Sequence, residues 1–128
     1  IYYKQRTIGI TNYRESTQDD IASTVSDQMK FIRAVFGGGY FSASFIESLE
    51  KWNSIFFPFK YGIGIQKFYM PRILSPFKAV PDSIGHCGSV GSVAFWVPEK
   101  RIYITGTVNQ PATPNLAFQT MIKIINKL

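Results

Sequence analysis

Residues 84–108 read IGHCGSVGSVAFWVPEKRIYITGTV, and the fold turns on how this stretch is divided. It is dominated by residues that favour a pleated, half-buried surface, with a period of two rather than 3.6. That pattern predicts two strands, Ile84–Val97 and Arg101–Val108, folded into a hairpin around Pro98–Glu99–Lys100. Proline favours the first corner of such a turn, and the two charges suit its exposed tip. Toward the C-terminus, Thr113 and Pro114 predict an N-cap followed by a first-turn proline. Phe118, Met121, Ile122 and Ile125 then give a closing helix its buried face.

Toward the N-terminus, Pro71, Pro76 and Pro81 predict an irregular connector over residues 70–83. Tyr61–Tyr69 reads as a further strand, with Gly62 and Gly64 placed for close backbone approach. Pro58 marks the change of period, and two helices precede it. The first opens on Thr24 and Asp27 at capping-box spacing, where the hydroxyl accepts a backbone N–H and the acid reaches back. Val25, Met29, Ile32 and Phe36 form its apolar stripe, and Gly37–Gly38–Gly39 ends it. Ser42 caps the second, whose stripe is Phe45, Ile46, Leu49 and Trp52. Residues 1–22 are the least patterned: an alternation over Thr7–Thr11 suggests a strand, and Arg14–Asp20 a polar loop. Helix, helix, three strands and a helix predict an α+β fold, an antiparallel β-sheet with helices packed on it, in one domain over residues 1–128.

Composition excludes several classes. At 45% apolar and 16% aromatic the 128 residues are too greasy for a disordered chain. No apolar run is long enough to cross a bilayer, and no basic stretch followed by an apolar secretory core is seen. A single cysteine, Cys87, excludes an intramolecular disulfide and a multi-cysteine zinc site. There is no glycine-rich phosphate loop and no pair of histidines for a metal, so no cofactor is expected. Of the net charge of +6, +5 lies in residues 65–128, where seven basic residues face two acidic ones. These cations are scattered singly or in pairs, which suits a solvated face or an anionic small substrate better than nucleic acid.

The densest concentration of unusual residues is Gly85–His86–Cys87–Gly88–Ser89–Val90–Gly91–Ser92. Glycine weakens a strand interior, so small residues here need a reason. A ligand lying along the strand by β-augmentation is one, and clearance for a packed helix is the other. His86, the sole histidine, would need an orienting partner to act as a base. Cys87 lacks a second histidine to activate it and reads as a small buried side chain. Ser48 and Lys51 match a Ser-x-x-Lys spacing, but among the apolar positions Phe45, Leu49 and Trp52 and beside Glu47 and Glu50 they read as part of an ordinary helix.

Several stretches, in order, resemble the final segment of the serine β-lactamase-like and penicillin-binding hydrolases, of the class C β-lactamase and D-Ala-D-Ala carboxypeptidase type. Ile21–Asp27 followed by Met29–Lys30–Phe31 resembles the family's ST-x-x-D helix start, and Tyr61–Ile65 its Tyr-Gly-x-Gly strand. Gly85–Gly88 with Gly91 resembles its Gly-His-Thr-Gly box, and Phe95–Lys100 with Ile104–Asn109 the following hairpin. The match covers residues from about 20 to 128. It implies a partial β-lactamase/transpeptidase-like fold and acyl transfer through an activated serine. Within that resemblance His86 stands for the Lys or His that holds a substrate carboxylate or supports proton transfer. The Ser89 N–H would supply an oxyanion donor and Gly88 would keep the strand open, while Asn109 matches a polar position after the next strand.

Two departures bear on activity. Cys87 stands where the family has Thr or Ser, so a substrate-binding hydroxyl becomes a weak thiol donor. The family's nucleophilic Ser-x-x-Lys and its Tyr-x-Asn lie upstream of the matched region, and no Tyr-x-Asn occurs here. The expectation is therefore the C-terminal part of a longer hydrolase, without turnover on its own. Its partner would be a small-molecule or peptide substrate, and the family resemblance implies a location outside the cytoplasm. A surface stripped of its covering segment would also self-associate. The alternative reading is a non-catalytic module that binds a peptide or a cell-wall stem.

Overall fold

The computed structural model describes residues 2–3, 6–7, 23–74 and 79–128. Two short strands, β1 (Tyr2–Tyr3) and β2 (Arg6–Thr7), pair antiparallel. The rest of the Thr7–Thr11 alternation and the loop Arg14–Asp20 lie outside the described residues. Two helices follow, α1 (Val25–Phe36) and α2 (Ala43–Leu49), then six strands and a last helix. The strands are β3 (Asn53–Phe56), β4 (Phe59–Tyr61), β5 (Gln66–Phe68), β6 (Ser83–Gly88), β7 (Ser92–Val97) and β8 (Ile102–Thr107). They form one antiparallel sheet in chain order, β3 to β8, and α3 (Asn115–Ile125) closes the chain. The fold is α+β, with helices laid on an antiparallel sheet.

The helix caps explain where α1 and α2 begin. Thr24 Oγ1 accepts from the Asp27 N–H at 3.1 Å, and Ser42 Oγ accepts from the Phe45 N–H at 3.2 Å. The Asp27 carboxylate reaches back to the Thr24 hydroxyl at 2.9 Å and binds Lys30 Nζ at 3.0 Å. These two bonds, Lys30 first, hold the Asp27 carboxyl below its ordinary range. The predicted stripe of α1 is only partly inside: Ile32 is buried, Met29 and Phe36 are half-buried and Val25 is exposed, while Val35, outside that stripe, is buried. The α2 stripe is corrected more strongly. No α2 residue is buried, and Trp52 lies beyond the helix. Seven residues are too few to carry a covered face, so Phe45 stacks on exposed Phe41 instead, with ring centroids 4.8 Å apart.

Alternation along β7 sorts the sheet into two faces. Val93, Phe95 and Val97 are buried against Ala117, Met121 and Ile125 of α3. Trp96 points to the other face, where it stacks on Tyr103 at 4.3 Å and borders α1. On that same face Thr105 Oγ1 donates to the Val25 carbonyl at 3.2 Å, pinning α1 to β8. The sheet is thus sandwiched, α1 on one side and α3 on the other. Phe118 of α3 gathers Phe59, Phe68 and Phe95 at 5.0 to 6.0 Å, so three strands share one aromatic anchor.

The strand boundaries differ from expectation in three places. A strand at Asn53–Phe56, unread in the sequence, pairs with β4 across the turn at Phe57–Pro58, whose peptide bond is cis. The predicted strand Tyr61–Tyr69 is broken into β4 and β5 by a turn in which Gly64 has φ +71°. Gly62 does make the expected close approach: a Cβ there would lie 2.2 Å from the Leu49 carbonyl oxygen. The single strand Ile84–Val97 is two strands, β6 and β7, turned back on each other at Ser89–Gly91. Gly91 has φ +76°, a conformation that glycine adopts without strain. The Pro98–Lys100 turn is where the sequence placed it, as a short 3-10 helix ending on Arg101 at φ +53°. The closing helix starts one residue late, with no side-chain cap from Thr113, but Met121 and Ile125 are buried as predicted.

Candidate functional site

The site is built around the end of β6. On one edge β6 pairs with β7 along Ile84–Gly88, while on the other β5 reaches only from Ser83 to Gly85. His86, Cys87 and Gly88 therefore run past β5 with one flank uncovered by a strand. His86 shares the face of Ile84 and is exposed. Its ring meets the Tyr61 ring edge-on, centroids 5.9 Å apart at 84°. No carboxylate is found bonded to it among the described residues.

Cys87 points to the opposite face, half-buried against the core beneath α3. Its thiol donates to Gln66 Oε1 at 3.1 Å, and its N–H donates to the same oxygen at 3.1 Å. The other end of the Gln66 carboxamide, Nε2, donates to Tyr61 Oη. Burial pushes the thiol pKa up, only partly opposed by the Gln66 bond, and burial with the nearby Cys87 raises Tyr61 as well. Cys87 is therefore a protonated donor, spent on Gln66 and turned away from the face of His86. It is a packed small side chain, as its lack of an activating partner suggested.

Gly88 ends β6, and a Cβ on it would fall 2.4 Å from Ser92 Oγ. No backbone atom of the paired strand lies within 4 Å of that point. Gly85 is tighter still, with the Ala94 carbonyl oxygen 2.0 Å from where its Cβ would sit. Close strand packing demands Gly85, where the obstacles are backbone atoms, and the turn accounts for Gly91; at Gly88 the obstacle is only a hydroxyl that can rotate aside. Ser89 is exposed in that turn, which the Gly91 N–H to Gly88 carbonyl bond closes at 3.0 Å. Asn109 has φ +48° and donates its N–H to Thr107 Oγ1 at 2.9 Å. The bonds from Val108 N–H to the Gly91 carbonyl and from Gln110 N–H to the Val90 carbonyl bring its segment to the same end of the sheet as Ser89.

Gln66 and Tyr61 were not singled out as site residues in the sequence. The available sign was a glutamine two positions before Phe68 in a period-two strand, which puts an amide at a buried position. The Ser48–Lys51 pair stays ordinary: Ser48 Oγ donates to the Phe45 carbonyl at 2.6 Å, and Lys51 lies beyond the end of α2. A cavity of about 460 Å³ opens between α1, α2 and the sheet, lined by Val35, Phe41, Ile46, Ile84 and Trp96 with Glu47 and Glu50. It holds no hydroxyl or thiol next to a base. No group of three or more metal-ligating side chains occurs among the described residues, and no helix of theirs is long and apolar enough to cross a membrane. In comparisons with known proteins, no family model and no curated sequence matches the chain.

Proposed function

We propose that this chain is the C-terminal part of a serine hydrolase of the β-lactamase-like type, acting by acyl transfer on β-lactams, D-Ala-D-Ala peptides or small esters. It forms one wall of the cleft, and the attacking serine belongs to polypeptide outside these 128 residues. The observation that carries this reading is the projecting end of β6, with the sole imidazole exposed on it and the Ser89 turn at its tip. The antiparallel sheet between helices and the order of the motifs along it support the same reading.

In this reading His86 holds the substrate carboxylate or passes a proton. The Ser89 N–H, which has no bond among the described residues, is a donor for the developing oxyanion. Asn109 lines the same end. The Cys87 contact predicted from the family drops out, because its thiol serves Gln66. Losing the nucleophile removes on the order of 10⁶ in kcat in a comparable serine enzyme, so the chain alone does not turn over.

The test is a titration of the isotope-labelled chain with N-acetyl-D-Ala-D-Ala. Saturable shifts are expected at the His86 ring and the Ser89 amide. They should disappear in Ser89→Pro, which removes the N–H at a turn corner that tolerates proline. Absence of those shifts at saturating ligand overturns the reading. Labelled penicillin should leave the chain unmodified, and an acyl group on Ser48 would contradict the placement of the nucleophile elsewhere.

A further inference from the structure

Gln66 stands where β5 stops and β6 goes on. It is only 5% exposed, yet it is polar, and both ends of its carboxamide are engaged. In an antiparallel ladder the N–H of an edge residue is taken by a main-chain carbonyl of the next strand. At Cys87 a side-chain carbonyl takes that place, 3.1 Å from the N–H. The Cys87 N–H on the edge of β6 is thus closed two residues beyond the last paired position, Gly85.

Residues two apart in a strand present their N–H and C=O to the same edge. The Cys87 N–H is directed at β5, and the next N–H without a partner among the described residues is that of Ser89, the first residue of the turn that ends β6. Beyond it the main chain turns away, the Val90 and Gly91 carbonyls accepting from Gln110 and Val108. An extended peptide docking by strand addition needs a series of alternate open residues. Here the Cys87 N–H is already taken, so among the described residues the Ser89 N–H is the one donor left for such a peptide. Moving Gln66 aside would strip partners from a buried amide, and an unsatisfied buried polar group is costly.

We propose that Gln66 is a specificity-determining residue: by taking the Cys87 N–H it leaves Ser89 as the one main-chain donor at the end of β6, so the site takes compact acyl donors and gains nothing from an extended peptide. This rests on the reading of β6 as the acyl-donor wall. The favoured ligand class is a small ester, a lactam or a terminal dipeptide.

Two variants separate the cap from packing. Gln66→Met keeps the length of the side chain and loses the acceptor, whereas Gln66→Glu keeps an acceptor oxygen. The Cys87 amide should exchange with solvent about tenfold faster or more in Gln66→Met and stay protected in Gln66→Glu. In the unsubstituted chain, N-acetyl-D-Ala-D-Ala and a pentapeptide ending in D-Ala-D-Ala should bind alike. In Gln66→Met the pentapeptide should gain roughly tenfold, about 1.4 kcal/mol, with a new shift at the Cys87 amide. A Cys87 exchange rate indifferent to Gln66→Met overturns the cap, whatever the ligand does. A pentapeptide already about tenfold tighter on the unsubstituted chain overturns the selectivity while the acyl-donor wall stands. If neither ligand binds any form, the wall itself falls, and the selectivity with it.

Discussion

Cys87 carries the clearest consequence of side-chain environment. Its thiol is half-buried and its pKa is raised, chiefly by burial, with Gln66 pulling the other way. A group whose pKa is higher folded than unfolded contributes stability that is complete below the unfolded value and is lost as pH rises through the folded one. The chain should therefore lose stability on the alkaline side of the ordinary thiol range, where the unfolded thiol ionises first. Tyr61, raised by burial and then by Cys87, extends the loss to higher pH. Thermal melts across that window should show the decline in the unsubstituted chain and a flatter profile in Cys87→Ala. An identical decline in both would exclude the thiol as its source. The role of Gln66 was illegible in the sequence for a related reason. A glutamine in a short polar-looking segment carries no local mark of burial, and its partners Cys87 and Tyr61 are brought to it only by strand register.

At the scale of elements, glycine decides where strands stop and how closely they lie. A Cβ at Gly85 would collide with the Ala94 carbonyl oxygen and the Phe95 Cα of the paired strand, both backbone atoms that cannot rotate away. Gly85→Ala should cost about 3 kcal/mol, read from denaturant melts, because relief requires the two central strands to part. A cost within about 0.5 kcal/mol would show that the strands yield there. Helix starts at Thr24 and Ser42, the Pro98 turn and the buried face of α3 were legible because cap chemistry and a 3.6 period are local. The division of Ile84–Val97 into β6 and β7 was not. Val90 and Ser92 continue an acceptable strand composition, and only Gly91 with its positive φ gives the reversal away. The same failing joined β4 to β5 across Gly64. The small residues at 85–92 then changed meaning, from a rail needing clearance along its length to a hairpin with a single projecting end.

On the scale of the whole molecule, the sheet has two ends of unequal exposure. β3 is an edge strand, and every one of its residues is exposed. Ile55, Phe56 and Phe57 are each about three-fifths exposed there, on a chain with net charge +6. Unpaired strand edges with apolar flanks invite pairing, whereas like charge opposes it. Light scattering should detect dimers or larger species that increase as added salt screens the repulsion, and Ile55→Lys should restore the monomer. A monomer at high concentration and high salt would remove this expectation.

The central claim is that the β6 end is half of an acyl-transfer site whose nucleophile is carried on another part of the same polypeptide. Sequencing the gene upstream of the Ile1 codon tests it most directly. An open reading frame continuous with this one, encoding Ser-x-x-Lys and then Tyr-x-Asn ahead of Ile1, is the predicted result. A continuous frame without those motifs, or a stop codon at that boundary, would contradict it.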